Sequence, residues 1–543
     1  MSKSDLAGAS QCVELAQEAM NTAATQLAGA GDIDHNQQVA YDVAHGASAI
    51  SAARSMLAYG VRGEQEAAIS CAFVADALAD IEARVLAREN LWGLRPGWMD
   101  SAMGFMRTWR DPSLLASLKT SGASRHLDPD FEMVRETFHR FAEERVLPYA
   151  DDVHRNNSDV PEEVIKRLAE LGGFGLSIPE EYGGLASGDE SDYLGMIIAT
   201  EELSWASLGI GGSLITRPEI LARALLKGGT DEQKKNWLPR LASGETMVAV
   251  AVTEPDFGSD VANLVTSATR GPGGWVVNGV KTWCTFAARA DVLMLLARTN
   301  PDRSQAHRGL SLFLVPKPRG EGHGFSFVQG ENAADAPAHD GSPGKMEGRA
   351  IDTIGYRGMH SYEVSFANWW IPDDCLIGGE PGLGRGFYYQ MQGFENGRLQ
   401  TAARALGVMQ AAYEAALSYS RERVVFGRPT AEYQLTQVKL TRMAVLIQAI
   451  RQFSYEVARL MASGEGALEA SMVKAYACRA AEWVTREAMQ MHGGMGYAEE
   501  FPVSRYFVDA RVLSIFEGAD ETLALKVIAR RLIENASHSS TEC

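Results

Sequence analysis

Val252-Thr253-Glu254-Pro255-Asp256-Phe257-Gly258-Ser259-Asp260 and, shortly after it, Asn278-Gly279-Val280-Lys281-Thr282-Trp283-Cys284-Thr285 are two β-type runs that bring hydroxyls, backbone donors and an aromatic ring to polar turns. Together they suit a flavin. Thr253, Ser259 and Thr285 offer hydroxyls and N–H groups to the polar edge of an isoalloxazine, and Trp283 covers its apolar face. Taken singly, each run also reads as an edge hairpin with Pro255 and Gly258 at the turn and Trp283 in the core. What stands around the two runs separates these readings.

Further strand-like runs surround them: Thr246–Val252, Trp275–Val277, Val292–Leu296, Leu310–Val315 and Tyr362–Phe366 alternate or cluster apolar residues at strand length. Gly330–Gly348, rich in Gly, Ala, Asp and Pro, has no apolar period and is expected to be a long surface loop. On either side the period is helical. Residues up to about 120 are Ala-rich with helical spacing and end in the small-residue linker Lys119–Ser124. A new helix is expected at Asp128-Pro129-Asp130, with others over Glu162–Leu171, Asp231–Leu241 and from Arg398 onward. The order predicts an α+β, mainly α chain in four parts: a helical extension (1–122), a helical domain (123–245), a β-domain (246–372) and a C-terminal helical domain (373–543). Met56–Leu86 also echoes Leu460–Met489, although any two Ala-rich helical hairpins look alike.

Length and composition bound the function. With 543 residues, 46% of them hydrophobic, there is room for roughly three domains at ~150 residues each. No run approaches the ~18 apolar residues of a membrane span, and Met1-Ser2-Lys3-Ser4-Asp5 is not followed by a signal-peptide core, so the expected location is the cytoplasm. A formal charge of −18 speaks against nucleic acid or an anionic membrane as partner. The six cysteines lack metal or disulfide spacing and read as reduced thiols.

Three further segments carry chemistry. Glu517, in Ser514-Ile515-Phe516-Glu517-Gly518-Ala519-Asp520, stands where an apolar run gives way to a helix. It reads as a helix-terminal charge or as a base whose apolar approach raises its basicity, with Gly518 allowing close backbone approach. Gln490-Met491-His492-Gly493-Gly494-Met495-Gly496 is a glycine-rich break whose N–H groups suit a pyrophosphate, a weak signal alone. Arg421 to Pro429, with Gln434 beyond it, reads as a solvated charge run or as cations and a ring for a dinucleotide.

In chain order these segments resemble the acyl-CoA dehydrogenase family from about Asp128 to Ile533. The match rests on Leu171-Gly172-x-x-Gly175 with Pro179-Glu180-Glu181-Tyr182-Gly183-Gly184, on Thr253–Asp260, on Trp283-x-Thr285 and on Gly355-x-Arg357. It continues through Arg398, Arg423-x-x-Phe426-Gly427, Gln490-x-x-Gly493-Gly494 and Phe516-Glu517-Gly518. The resemblance implies a helical domain, a small β-barrel domain and a C-terminal four-helix bundle, here with an added N-terminal helical extension.

It also implies FAD, held at the flavin by Thr253, Ser259, Trp283 and Thr285. Arg423, Phe426, Gln434, Gln490, Gly493 and Gly494 would serve the adenosine diphosphate half of a neighbouring subunit's FAD, which makes the protein a homo-oligomer. Glu517 would be the base. In some branched-chain relatives the base precedes the arginine matching Arg398, but here that residue is Gly397, which cannot accept a proton. Ser259, Gly518, Glu395 and Arg398 would border the acyl-CoA, structural salt bridging being an equal reading for the last two. Ala519 replaces a common threonine and Val508 a common arginine, which puts one FAD contact in doubt.

An extension before the catalytic core, rather than after it, is similar to the layout of family members that act on a short acyl-CoA with an α-methyl group and a distal carboxylate. Relatives with added helices use them to cover the tetramer face. The resemblance therefore implies that substrate class and a dimer in preference to a tetramer. Arg217, in the helical region that lines the acyl pocket of relatives, is a candidate partner for that carboxylate or a structural arginine. The implied reaction is α,β-dehydrogenation with electrons passed to electron-transferring flavoprotein. Another short or branched acyl-CoA substrate, an oxidase or monooxygenase on the same fold, and a silent FAD or acyl-CoA binding protein are the alternatives.

Overall fold

The computed structural model describes residues 4–118, 123–188, 191–329 and 343–541. Phe138–Gly397 forms one unit. Its sheet comprises β1 (Val248–Ala251), β2 (Ser267–Gly271), β3 (Gly274–Thr285), β4 (Val292–Arg298), β5 (Leu310–Pro316), β6 (Gly324–Val328), β7 (Lys345–Ile351) and β8 (Ser361–Pro372). The spatial order is β1-β4-β2-β3-β8-β7-β6, with β5 also on β4. β1 and β2 run parallel to β4, and the remaining pairs are antiparallel.

Every residue of β4 is buried, which is why it reads as an unbroken apolar run rather than an alternation. The helices Thr216–Gly228 and Asp231–Ala242 place Ile220, Leu221, Leu225, Leu238 and Leu241 in one core with Val292, Met294, Leu296, Leu310, Leu312 and Leu314. Each such side chain contributes about 1.5–3 kcal/mol by leaving water. The second helix starts at a capping box: Gln233 N–H donates to Thr230 Oγ1 and Thr230 N–H to Gln233 Oε1. Gln233 Nε2 also donates to the carbonyls of Asp374 and Leu376, fixing the chain beyond β8.

The strands expected from the sequence are present, and β3 and β8 run much further than their apolar cores suggested. The loop expected over Gly330–Gly348 needs correction at its end. Lys345–Gly348 belong to β7, with Met346 paired to both Phe327 and Phe366, whereas residues 330–342 lie outside the described residues. The same is true of Lys119–Gly122 in the expected linker.

Residues 1–137 and 398–543 form the other unit. Helices Leu6–Ala30, Gln37–Gly60 and Glu64–Val85 pack with Gln434–Ala462, Ala467–Met491 and the C-terminal helix Arg530–Thr541. From Val39 to Tyr59 helix Gln37–Gly60 is buried on nearly every side, and its Ala and Gly content permits this close approach. A Cβ on Gly46 would sit 2.7 Å from Met20 Sδ. Ties across long chain separations fix the arrangement: Arg442 pairs with Asp76, Thr441 Oγ1 donates to the Leu115 carbonyl, and Gln448 Nε2 and Tyr59 Oη both donate to that of Ser124. The described cysteines are unpaired and buried, and among the described residues no helix is long and apolar enough to cross a membrane.

Candidate active site

The signature run leaves β1 as a tight loop in which Glu254 and Phe257 bridge each other. Glu254 turns inward. Its carboxylate lies 2.8 Å from Lys281 Nζ and accepts the N–H groups of Val265 and Thr266, each at 2.8 Å. Lys281 Nζ also donates to the Val252 carbonyl, and both side chains are essentially inaccessible. Burial pushes the Glu254 carboxyl up, but Lys281 and the amide donors outweigh it and hold the group below its ordinary value. Burial pushes Lys281 down to about 8 against the pull of Glu254.

Around this pair the predicted flavin contacts are arranged. The Thr253 carbonyl accepts the Thr282 N–H at 2.8 Å, so the two quoted runs are hydrogen-bonded neighbours. β3 loses register between Lys281 and Cys284, and Trp283 within that irregularity has φ 58° and a side chain 53% exposed. Thr285 is buried with its hydroxyl 3.0 Å from that of Ser361, while Thr253 is half-buried and Ser259 exposed. The structure thus brings Thr253, Trp283 and Thr285 together and turns Trp283 outward, away from the core.

Glu517 lies between Phe516 and Gly518 with φ 53°, followed by φ 99° at Gly518. A left-handed non-glycine residue costs of order 1–3 kcal/mol and persists only where its surroundings hold it. Those surroundings bury the side chain and add cations that the sequence did not show. Arg404, fully buried, stands 3.8 Å from Glu517 Oε1 and stacks its guanidinium 4.6 Å from the centre of the Phe516 ring. Lys474 Nζ donates to the Gly518 carbonyl at 2.6 Å, and burial pushes that ammonium down. The Glu517 N–H makes no backbone hydrogen bond among the described residues. Just beyond, Asp520 accepts the Tyr41 hydroxyl at 2.5 Å and lies 3.3 Å from His45 Nε2, so helix Gln37–Gly60 grips the segment that carries the carboxylate.

Arg404, Lys474 and the Tyr41–His45–Asp520 cluster escaped the sequence reading. A signal for Arg404 was present: it is the one charge within Thr401-Ala402-Ala403-Arg404-Ala405-Leu406, an otherwise small and buried stretch. Arg398, on the same helix Gly386–Glu422, is half-buried and donates to Ser471 Oγ, and Glu395 is half-buried.

The expected dinucleotide residues sit on exposed turns. Val424-Val425 pairs with Arg428-Pro429, which carries Phe426 out at φ 50° and 95% exposure. Arg423, Gln434 and Gln490 are exposed, Gln434 Nε2 donating to Ser113 Oγ. Gly493 and Gly494 face open space where a Cβ would meet nothing, and Tyr497 beside them is 85% exposed. Uncovered rings next to open glycine backbone fit the adenine and pyrophosphate of FAD, as the uncovered Trp283 fits its flavin.

Arg217 opens helix Thr216–Gly228 and is 6% exposed. Its Nη1 is buried without a hydrogen-bond partner, and its guanidinium lies 6.0 Å from the centre of the Tyr356 ring. The nearest acid in sequence, Glu219, is taken by Ser177, Asn396 and Arg223.

A curled sheet that presents an uncovered tryptophan among hydroxyls, in a chain whose remaining parts are helical, has the architecture of a flavin-dependent dehydrogenase. Residues 128–245, 249–369 and 384–533 match the N-terminal, middle and C-terminal domains of acyl-CoA dehydrogenases. The chain is 45% identical over 416 residues to (2S)-methylsuccinyl-CoA dehydrogenase of Cereibacter sphaeroides, covering 76% of this chain and 71% of that one. Among solved structures it is similar to a glutaryl-coenzyme A dehydrogenase in complex with glutaryl-CoA (28% identity, TM-score 0.66, 76% and 96% covered). It is equally similar to butyryl-CoA dehydrogenase of Megasphaera elsdenii (28% identity, TM-score 0.66, 75% and 99% covered). The chain belongs to the acyl-CoA dehydrogenase family and is an FAD-dependent oxidoreductase.

The Glu254–Lys281 pair yields a prediction. Glu254→Ala leaves Lys281 buried without its carboxylate and lowers the unfolding free energy by roughly 3–5 kcal/mol, read by urea denaturation of the FAD-loaded protein. Because the carboxyl is held below its ordinary value, its stabilisation is full above the usual carboxylate range and fades as pH falls through the depressed value. Glu254→Gln is expected to lose that part of the acid sensitivity.

Proposed function

We propose that the protein oxidises a short, α-methyl-branched acyl-CoA with a distal carboxylate, (2S)-methylsuccinyl-CoA to mesaconyl-CoA, the step found in the ethylmalonyl-CoA pathway. The observation that carries the substrate class is Arg217. A buried guanidinium with an unsatisfied nitrogen and no carboxylate of its own is expensive unless a ligand supplies the anion. The similarity to the Cereibacter sphaeroides enzyme supports the same reading.

In the proposed reaction the Cα–H bond breaks, its proton passing to a carboxylate oxygen of Glu517. The β-hydrogen leaves with its electron pair, and a trans α,β double bond forms. FAD, when bound, supplies the acceptor for that hydride. Thr253, Ser259, Trp283 and Thr285 are the proposed flavin contacts; Arg423, Phe426, Gln434, Gln490, Gly493 and Gly494 are those for the adenosine diphosphate of a neighbouring subunit's FAD. The α-proton of a thioester is weakly acidic, so its carbonyl needs a donor. The Glu517 N–H, left without a backbone acceptor, is proposed for that role, a kind of contact worth about 3–4 kcal/mol in other enzymes. Arg404 holds the carboxylate in place from behind, and Gly518 with Arg398 and Glu395 borders the acyl-CoA. Electron-transferring flavoprotein is the proposed electron acceptor.

Glu517→Gln is expected to stay yellow with FAD while kcat falls about 10²–10⁴-fold in a ferrocenium assay; undiminished turnover would remove Glu517 as the base. Arg217→Ala should lose about 10- to 100-fold in kcat/KM on methylsuccinyl-CoA yet change little on the uncharged 2-methylbutyryl-CoA; equal losses on both would exclude charge pairing. The chain is further proposed to be a homodimer, its N-terminal helices occupying bundle surface on Gln434–Ala462 and Ala467–Met491. Light scattering is expected to give twice the chain mass, and four times that mass would overturn the assignment.

A further inference from the structure

Three segments of the Phe138–Gly397 unit meet at two imidazoles and a carboxylate that the dehydrogenation does not use. Asp159 follows helix Leu147–Asn156, His323 sits in the turn before β6, and His360 immediately precedes β8. The rings of His323 and His360 lie 4.1 Å apart at 52°. Asp159 Oδ1 is 3.2 Å from His360 Nε2 and 3.9 Å from His323 Nε2, and one ligand atom from each residue falls within 4.8 Å of the other two.

A histidine–carboxylate pair accounts for Asp159 with His360 but leaves the second imidazole, His323, beside them unexplained. His360 is buried, and its Nε2, although near the carboxylate, makes no aligned hydrogen bond. Both imidazoles turn Nε2 toward the same oxygen. Two nitrogens and an oxygen bound to zinc at about 2.0–2.1 Å in tetrahedral geometry are roughly 3.3 Å apart. The His360–Asp159 separation already matches that edge.

The surroundings hold the donors in place. Arg289 donates to the Val160 carbonyl and pairs with Glu162, and Val160 N–H donates to the Gly358 carbonyl, which ties the Asp159 loop to the segment leading into His360. His360 has φ 39°, a strained value for a non-glycine residue, and its carbonyl accepts the Phe286 N–H. On the other side, Asp159 and His323 are both partly open to water, His323 the more so, which gives an ion a route in and leaves room for water as a further ligand.

We propose that Asp159, His323 and His360 form a binding site for a zinc-class divalent cation. The ion joins the loop after helix Leu147–Asn156 to the turns before β6 and β8, next to Ser361, whose hydroxyl meets Thr285. Its role is structural, and binding is read independently of turnover.

The test uses the full-length, FAD-loaded protein with any affinity tag removed. Isothermal titration with zinc chloride is expected to show one ion per chain and a raised Tm. Titration with cobalt(II) should add visible bands of four-coordinate geometry beyond the flavin absorption. His323→Ala, at an exposed position that the fold tolerates, should weaken binding by about 100-fold or more, since even outer-shell changes cost ~10–100-fold. Asp159→Asn should weaken it while preserving shape, and His35→Ala, at an exposed histidine elsewhere, should leave it unchanged. No saturable zinc binding by the unaltered protein, or binding that survives His323→Ala undiminished, would overturn the site.

Discussion

The ion pair between Glu254 and Lys281 is what the signature loop depends on. Two charges enclosed at 2.8 Å pay for their desolvation only because Val252, Val265 and Thr266 complete their hydrogen bonds. The pair also sorts its neighbours. On a regular strand Lys281 and Trp283, two residues apart, would share a face. The lost register after Lys281 and the positive φ at Trp283 send the ammonium inward and the indole outward. An anchor inside the sheet therefore places the ring that stands uncovered outside it.

A comparable economy governs the carboxylate of Glu517. Its backbone lies in a region that L-residues avoid, and it is held there by Phe516 beneath Arg404, by Lys474 on the Gly518 carbonyl and by Asp520 in the grip of Tyr41 and His45. Burial raises the Asp520 carboxyl, but His45 and Tyr41 outweigh it and keep the group below its ordinary value. The same burial lowers His45. Helix Gln37–Gly60 thus contributes two side chains to the turn that carries Glu517, a closer involvement than surface cover alone.

Much of this was legible in the chain, and the limits have physical causes. Runs such as Val292–Leu296 announce themselves because complete burial leaves an unbroken apolar stretch, and helices such as Asp231–Ala242 because caps mark their ends. β2, β6 and β7 did not, since each is short, half-exposed and contains a glycine, with charged residues in β2 and β7, so that pairing with a neighbour decides its state. Glu254, Lys281 and Trp283 were all visible as motif residues, but the partnership of the first two spans 27 positions and no local pattern encodes it. The contact of Tyr41 with Asp520, across 479 positions, is beyond any local reading, and the inward direction of Arg404 could be suspected only from its small-residue neighbours.

Helix Gln37–Gly60 is synthesised early, yet the helices that enclose it, Gln434–Ala462 and Ala467–Met491, come several hundred residues later. At about 5–20 residues per second a ribosome needs tens of seconds to cover that distance. Throughout that interval the helix's alanine-rich surface can pack on Leu6–Ala30 and Glu64–Val85, while the part that the later helices cover stays open to chaperones or to loose association. Growth conditions that slow or stall translation in the second half of the message would therefore burden the yield of this protein more than its final stability suggests.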